Sequence, residues 1–291
     1  MTKTTAGVPL VVRVAMSHAA VQHVAQACGI DVLHIKGPAL DPSLTWEGRE
    51  GTDADVLVRA SNAQALVEAL QRSGWELHSR FENSSAFEHS ATLWHHLWGY
   101  ADIHRLFPGI GIDPDAAFER LWADHGQTTI ADVPCAVPSL PGQALVLLLH
   151  AAREGGSPRS ADDIRSAWGD AGADQRAAVR TLVDELDAGV AFAAATGTLD
   201  EHRGAREYDL WAVSLRGGTR FQEWRARIKA APSRREAASL ALRSILVNTD
   251  HLAMLRGHQP SGPEIAVEFF ARPVRGVAQS WRAWRSRRGQ G

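Results

Sequence analysis

The chain has 291 residues, 45% of them apolar and 22% charged, with a formal net charge of −2. That length favours two domains, and no apolar run nears the ~18 residues that a membrane-spanning helix requires. Near-neutral charge gives no global case for nucleic-acid binding, which needs a concentrated basic surface, and two cysteines, Cys28 and Cys135, are too few for a disulfide framework or an all-cysteine zinc site.

The N-terminus lacks the charged-then-apolar pattern of a secretory signal, so the expected compartment is the cytoplasm. Ser17 caps a helical pattern over 17–28, with Val21, Val24, Ala25 and Cys28 on one face and Gly29 ending it. Residues 31–35 read as a short strand broken by Gly37-Pro38, a short helix or loop continues to Trp46, and 49–52 form a polar turn. The next strand covers 54–58 and carries Asp53-Ala54-Asp55 at its start. Ser61 with Gln64 offers a capping box for a helix over 63–72, which Gly74 closes, and 75–81 is a further strand. In LWHHLWGYADIHRLF the strand period places Tyr100, Asp102 and His104 on one face. These segments predict an α+β domain over residues 1–138, a mixed or antiparallel sheet with flanking helices. Pro134, Pro138 and Pro141 mark its end. From 139 to 291 the pattern turns helical, with helices expected over 140–153, 161–168, 175–195 and 234–255. The last twenty residues form a basic segment with six arginines, no acid, and Trp281 and Trp284 three residues apart.

Asp53 and Asp55 pose the chemical question. Residues i and i+2 of a strand share a face, so two anions would stand side by side in a largely apolar strand. Such a pair repels and is costly to bury without a cation, and a divalent metal is the economical answer. Asp102, on a later strand, supplies a third carboxylate. Three converging carboxylates suit two Mg²⁺ ions, which prefer oxygen ligands and keep coordination positions for substrate phosphates. Gly37, directly after a strand, lets phosphates approach the backbone. Only three of the 31 basic residues are lysines, which draws attention to Lys36 beside it.

With these residues in view, IKGPAL…REGTDADVLV…YADIH resembles the polymerase-β-type nucleotidyltransferase superfamily, and more narrowly its bacterial branch of uncharacterised nucleotidyltransferases, over about residues 30–105. The resemblance implies that Asp53, Asp55 and Asp102 bind two Mg²⁺ ions, with Mn²⁺ as a substitute, and that Asp102 orients or deprotonates an acceptor hydroxyl. It also implies that Lys36, Gly37, Arg49 and Thr52 hold the nucleotide, with ATP the expected NTP. The chain departs from the superfamily pattern at Pro38, where Gly or Ser is usual. Proline has no backbone N–H, so this loop lacks one phosphate donor, and Lys36 would make up for it as a point charge.

His89, His95, His96 and His104 lie close in sequence, but their spacing fits no zinc-binding helix face, and the adjacent His95 and His96 would point to opposite sides of a strand. His104 shares the face of Asp102 and is a candidate for supporting a ligand or touching substrate. His150 reads as a satisfied core histidine, and Trp94, Trp98 and Trp122 as packing residues.

The expected activity is Mg²⁺-dependent transfer of a nucleoside monophosphate from an NTP to a hydroxyl of a small molecule, peptide or protein, with release of pyrophosphate. A natural-product tailoring role is implied by resemblance only. The alternatives are a non-catalytic, antitoxin-like binding protein of the same fold and a kinase-type phosphotransferase using the same carboxylates. Replacing either Asp53 or Asp55 by alanine should abolish turnover and leave the fold intact or even steadier, because their repulsion is relieved.

Overall fold

The computed structural model describes residues 7–84, 87–155, 157–231 and 233–245, with 252, 258, 261–264, 266–269 and 271 beyond them. The basic segment over 272–291 lies outside the described residues, as does most of the stretch from 246 to 260.

Helix α1, Leu10–Ala27, starts about two turns before the expected cap, with Pro9 as its N-cap. Ser17 is buried in mid-helix, where its hydroxyl donates to the Tyr100 carbonyl at 3.1 Å. Strand β1, Val32–His34, pairs antiparallel with β2, Asp53–Val58. Helix α2, Ala60–Arg72, contains Ser61 rather than being capped by it, and the Ser61 amide donates to the Asp115 carboxylate. β3, Glu76–Ser79, and the short α3, Phe81–Ser84, precede β4, Ser90–His95, and β5, Gly99–His104. The sheet order is β1-β2-β5-β4-β3, with β2 and β5 parallel and the other neighbours antiparallel. The mixed sheet expected from the sequence is therefore present.

One face of this sheet is sealed. Val21 and Ala25 of α1 and Leu66 and Leu70 of α2 pack against Ala54, Val56 and Val58 of β2 and Ala101 and Ile103 of β5. Period-2 alternation then sends Asp53 and Asp55 of β2, and Tyr100, Asp102 and His104 of β5, to the opposite face. Helix α4, Pro114–Trp122, is capped by Asp113, whose carboxylate accepts from the amides of Asp115 and Ala116. A hairpin follows, β6 Gly126–Ile130 and β7 Val133–Val137, turned by Ala131 and Asp132, both at positive φ.

The chain divides into two compact units, 1–198 and 199–291. The first also holds the apolar α5, Leu140–Arg153, buried along most of its length, and α6, Pro158–Ile164. The single helix expected over 175–195 is two, α7 Ala173–Glu185 and α8 Gly189–Thr196. Asp187, at φ 49°, breaks it, a conformation that no continuing helix accommodates. In the second unit lie α9 Tyr208–Arg216, α10 Arg220–Ala230 with a full Thr219/Gln222 capping box, and α11 Arg234–Ile245. Among the described residues no helix is long and apolar enough to cross a membrane.

Candidate active site

The parallel register of β2 and β5 sets Asp55 directly opposite Asp102 and Asp53 opposite Tyr100. Asp55 is 4% exposed. One of its oxygens, Oδ1, accepts from Lys36 Nζ at 2.8 Å and from His104 Nε2 at 2.8 Å. The Thr92 hydroxyl, on the neighbouring strand, donates to Asp102 at 2.6 Å, and the Thr52 hydroxyl donates to Asp53 at 3.1 Å.

These environments split the three acids. Burial and the nearby Asp55 raise Asp53 to about 6, and burial together with Asp55 and Asp53 raises Asp102 to about 7. Burial opposes charge on Asp55 too, but Lys36 and the His104 hydrogen bond outweigh it and hold its pKa well below the usual carboxylate range. Asp55 therefore keeps the charge, Lys36 matches it, and the other two acids hold protons until near neutrality. A carboxylate only accepts, so His104 carries its proton on Nε2. Its buried Nδ1 has no hydrogen-bond partner, and burial lowers its pKa to about 4.

Asp55, Asp102 and His104 each bring a ligand atom within 4.8 Å of the others. This group fits a divalent cation. Its members Asp55 and Asp102 offer hard carboxylate oxygens, which suit Mg²⁺.

Gly37 sits at φ +63° directly after Lys36 and opens a 3₁₀ turn, Gly37–Ala39. A Cβ there would stand 3.5 Å from His18 Nε2, an ordinary contact, so the backbone angle and not crowding requires glycine. Pro38 occupies the first turn of this element, where a missing N–H leaves no helical bond unmade. Arg49 has a carboxylate partner of its own. Its guanidinium, 2% exposed, grips Asp163 of α6 through Nε at 2.7 Å and Nη2 at 3.2 Å, and Trp46 Nε1 donates to the same carboxylate at 3.0 Å. It ties the β1–β2 connection to α6.

Sequence patterns do not reveal the basic groups that α5 and α6 bring. Arg153, at the end of α5, donates through Nη1 to His89 Nε2 and through Nη2 to His150 Nδ1 at 3.0 Å. No carboxylate among the described residues pairs with it, yet its charge is felt by Asp55, Asp102 and Asp53. Arg159, near the start of α6, acts on Asp53 and leaves its buried Nε without a hydrogen-bond partner. The one signal in the sequence is a helix apolar along its length that ends in His150-x-x-Arg153, a cation where the core pattern stops.

The mixed sheet, covered by α1 and α2 on one face, thus carries paired carboxylates beside a glycine turn on the other. The chain belongs to the family of uncharacterised nucleotidyltransferases, whose profile matches residues 13–204. That membership makes it a nucleotidyltransferase enzyme. Among solved structures it is similar to the lincomycin-bound lincosamide antibiotic adenylyltransferase LnuA (18% identity, 57% of this chain and 94% of that one, TM-score 0.34). It is also similar to the antibiotic-resistance factor ANT(2'')-Ia (13%, 65% and 96%, TM-score 0.41) and to an antigenic nucleotidyltransferase-like protein from Paracoccidioides brasiliensis (15%, 63% and 92%, TM-score 0.34). No curated protein matches it.

Proposed function

We propose that this enzyme transfers a nucleoside monophosphate from an NTP, ATP foremost, to a hydroxyl of a small molecule, peptide or protein and releases pyrophosphate. The observation that carries the reading is the Asp55–Asp102 register on two parallel strands, with Asp53 two residues earlier on the same face. In this reading Asp53, Asp55 and Asp102 hold Mg²⁺, with His104 supporting Asp55. A divalent ion bound there supplies the charge that steadies the attacking and leaving oxygens of an in-line displacement.

The chain's own groups do the rest. Asp102 orients the acceptor hydroxyl and takes its proton. The acceptor oxygen bonds to the α-phosphorus as the α–β bridging P–O bond breaks, and pyrophosphate carries the electron pair away. Lys36 and Gly37 meet the triphosphate, Thr52 steadies Asp53, and Arg49 acts at a distance by fixing the β1–β2 connection through Asp163. We assign the catalytic part to residues 1–138 and a mostly helical part to 139–291, with α5 and α6 inside the same compact unit as the carboxylates. A natural-product acceptor is supported by the sequence resemblance alone.

The test is thermal unfolding of the purified protein with ATP, GTP, CTP and UTP, each with and without Mg²⁺, repeated on Asp53→Ala. A metal-dependent stabilisation lost in the variant is expected, about 2.7 kcal/mol at a hundredfold excess over Kd. No shift with any nucleotide would refute the reading. Pyrophosphate rather than a nucleoside diphosphate among the products separates this reaction from kinase-type transfer.

A further inference from the structure

Arginine is among the residues least often buried without a partner, and a buried guanidinium usually meets a carboxylate. Arg153 and Arg159 depart from this rule at one place, where α5 ends and α6 begins. Arg153 is partly buried, and both of its Nη groups donate to imidazole nitrogens, His89 Nε2 and His150 Nδ1. A nitrogen that accepts from a guanidinium carries no proton, so these rings satisfy the donors without cancelling the charge. The tautomers agree along the chain of contacts. His150, accepting at Nδ1, keeps its proton on Nε2, which faces Glu154 Oε1 at 3.0 Å. Burial lowers the pKa of both histidines, with Arg153 a further cause, so they stay neutral. His89 also packs on His104, ring centroids 5.1 Å apart, and His104 bonds Asp55. Arg159 makes no ion pair among the described residues, and its Nε is buried and unpartnered, yet its charge reaches Asp53.

Arg153 thus feels Asp55, Asp102 and Asp53, Arg159 feels Asp53, and Glu154 acts on both, yet among the described residues no carboxylate forms an ion pair with either guanidinium. Planar guanidinium forks match phosphate oxygens in bidentate fashion. We infer that Arg153 and Arg159 form an anion subsite for the β- and γ-phosphates of the NTP, the part that departs as pyrophosphate. His89 and His150 are its positioning residues. The inference rests on the nucleotidyl-transfer reading and adds to it the groups that receive the leaving group.

The experiment is calorimetric titration of the full chain with inorganic pyrophosphate in Mg²⁺, with Mg-ATP and with AMP as separate probes, on the wild type, Arg153→Gln and Arg159→Gln. Each variant should weaken pyrophosphate and Mg-ATP binding by tenfold or more, flatten the salt dependence, and leave AMP affinity within twofold. Arg153 bridges two rings, so Arg153→Gln risks the fold. Arg159→Gln removes a side chain with no ion pair and an unbonded Nε, and therefore decides the matter if the other variant fails to fold. Wild-type affinity for pyrophosphate in Arg159→Gln would overturn the subsite while leaving the enzyme reading intact. A wild-type chain that binds neither Mg-ATP nor pyrophosphate would overturn both.

Discussion

Asp102→Asn should make the metal-free protein more stable and inactive at once. In the folded chain the Asp102 carboxyl titrates at about 7, against an ordinary 3.8, because burial and two neighbouring acids oppose its charge. The folded pKa lies above the unfolded one, so the native state binds more protons than the unfolded chain between those values, and stability falls as pH rises through that window. At about 1.36 kcal/mol per unit, the penalty is absent below pH 4 and reaches about 4 kcal/mol above pH 7. Part of it is repulsion shared with Asp53, which a single substitution relieves once, so the expected gain at pH 8 is about 2–4 kcal/mol. Asparagine keeps an oxygen for the Thr92 hydroxyl, which now donates to Asp102 at 2.6 Å, so the substitution changes charge with little change of contact. Thermal unfolding in EDTA should show Tm raised by roughly 5–15 °C at pH 8, at 2–4 °C per kcal/mol for a chain of this size. At pH 4.5 the gain should shrink to under about 1 kcal/mol, because the wild-type carboxyl is then protonated as well. An equal Tm at pH 8, or a gain at pH 4.5 as large as at pH 8, would refute the electrostatic account of the site.

Asp55→Ala should act in the opposite direction and cost about 3–5 kcal/mol, because Lys36 would be left buried without its partner. Denaturant unfolding checks this, and Lys36→Met in the same background should recover part of the loss. Arg49→Ala and Asp163→Ala should each cost about 3–5 kcal/mol, since the pair is bidentate with both side chains almost fully covered. The double variant should be little worse than either single one, and a simple sum in a double-mutant cycle would show that the two groups do not act as a pair.

Much of the site is legible in the order of residues alone. The alternation that buries Ala54, Val56 and Val58 forces Asp53 and Asp55 to the other face, and the same period puts Asp102 and His104 together. The glycine after a strand reports its own backbone requirement, which Gly37 meets at φ +63°. These are local facts, set by the two-residue repeat of a strand and by which side chains tolerate which angles. Repulsion between Asp53 and Asp55 is also foreseeable from their spacing, but its consequence is not. Spacing makes the two acids look alike, whereas Lys36 and His104 both bond Asp55, so removing Asp55 should destabilise where removing Asp102 should stabilise.

What depends on distant parts of the chain is not visible in local pattern. Ser61 looks like a helix cap, yet Asp115, 54 residues away, meets its amide. Arg49 stands near the phosphate-loop pattern in sequence, but Asp163 satisfies it across 114 residues. Arg153 ends a helix whose apolar pattern says only that it is buried, Arg159 sits in the short polar α6, and their effect on the carboxylates follows from how α5 and α6 pack. By itself the sequence determined which residues can ionise, which face of a strand each occupies and where the backbone must turn, because these are properties of neighbours. Which acid keeps its charge, and which cations stand ready for an anion, only the tertiary structure decided, because electrostatic energy depends on separation and burial rather than on order along the chain.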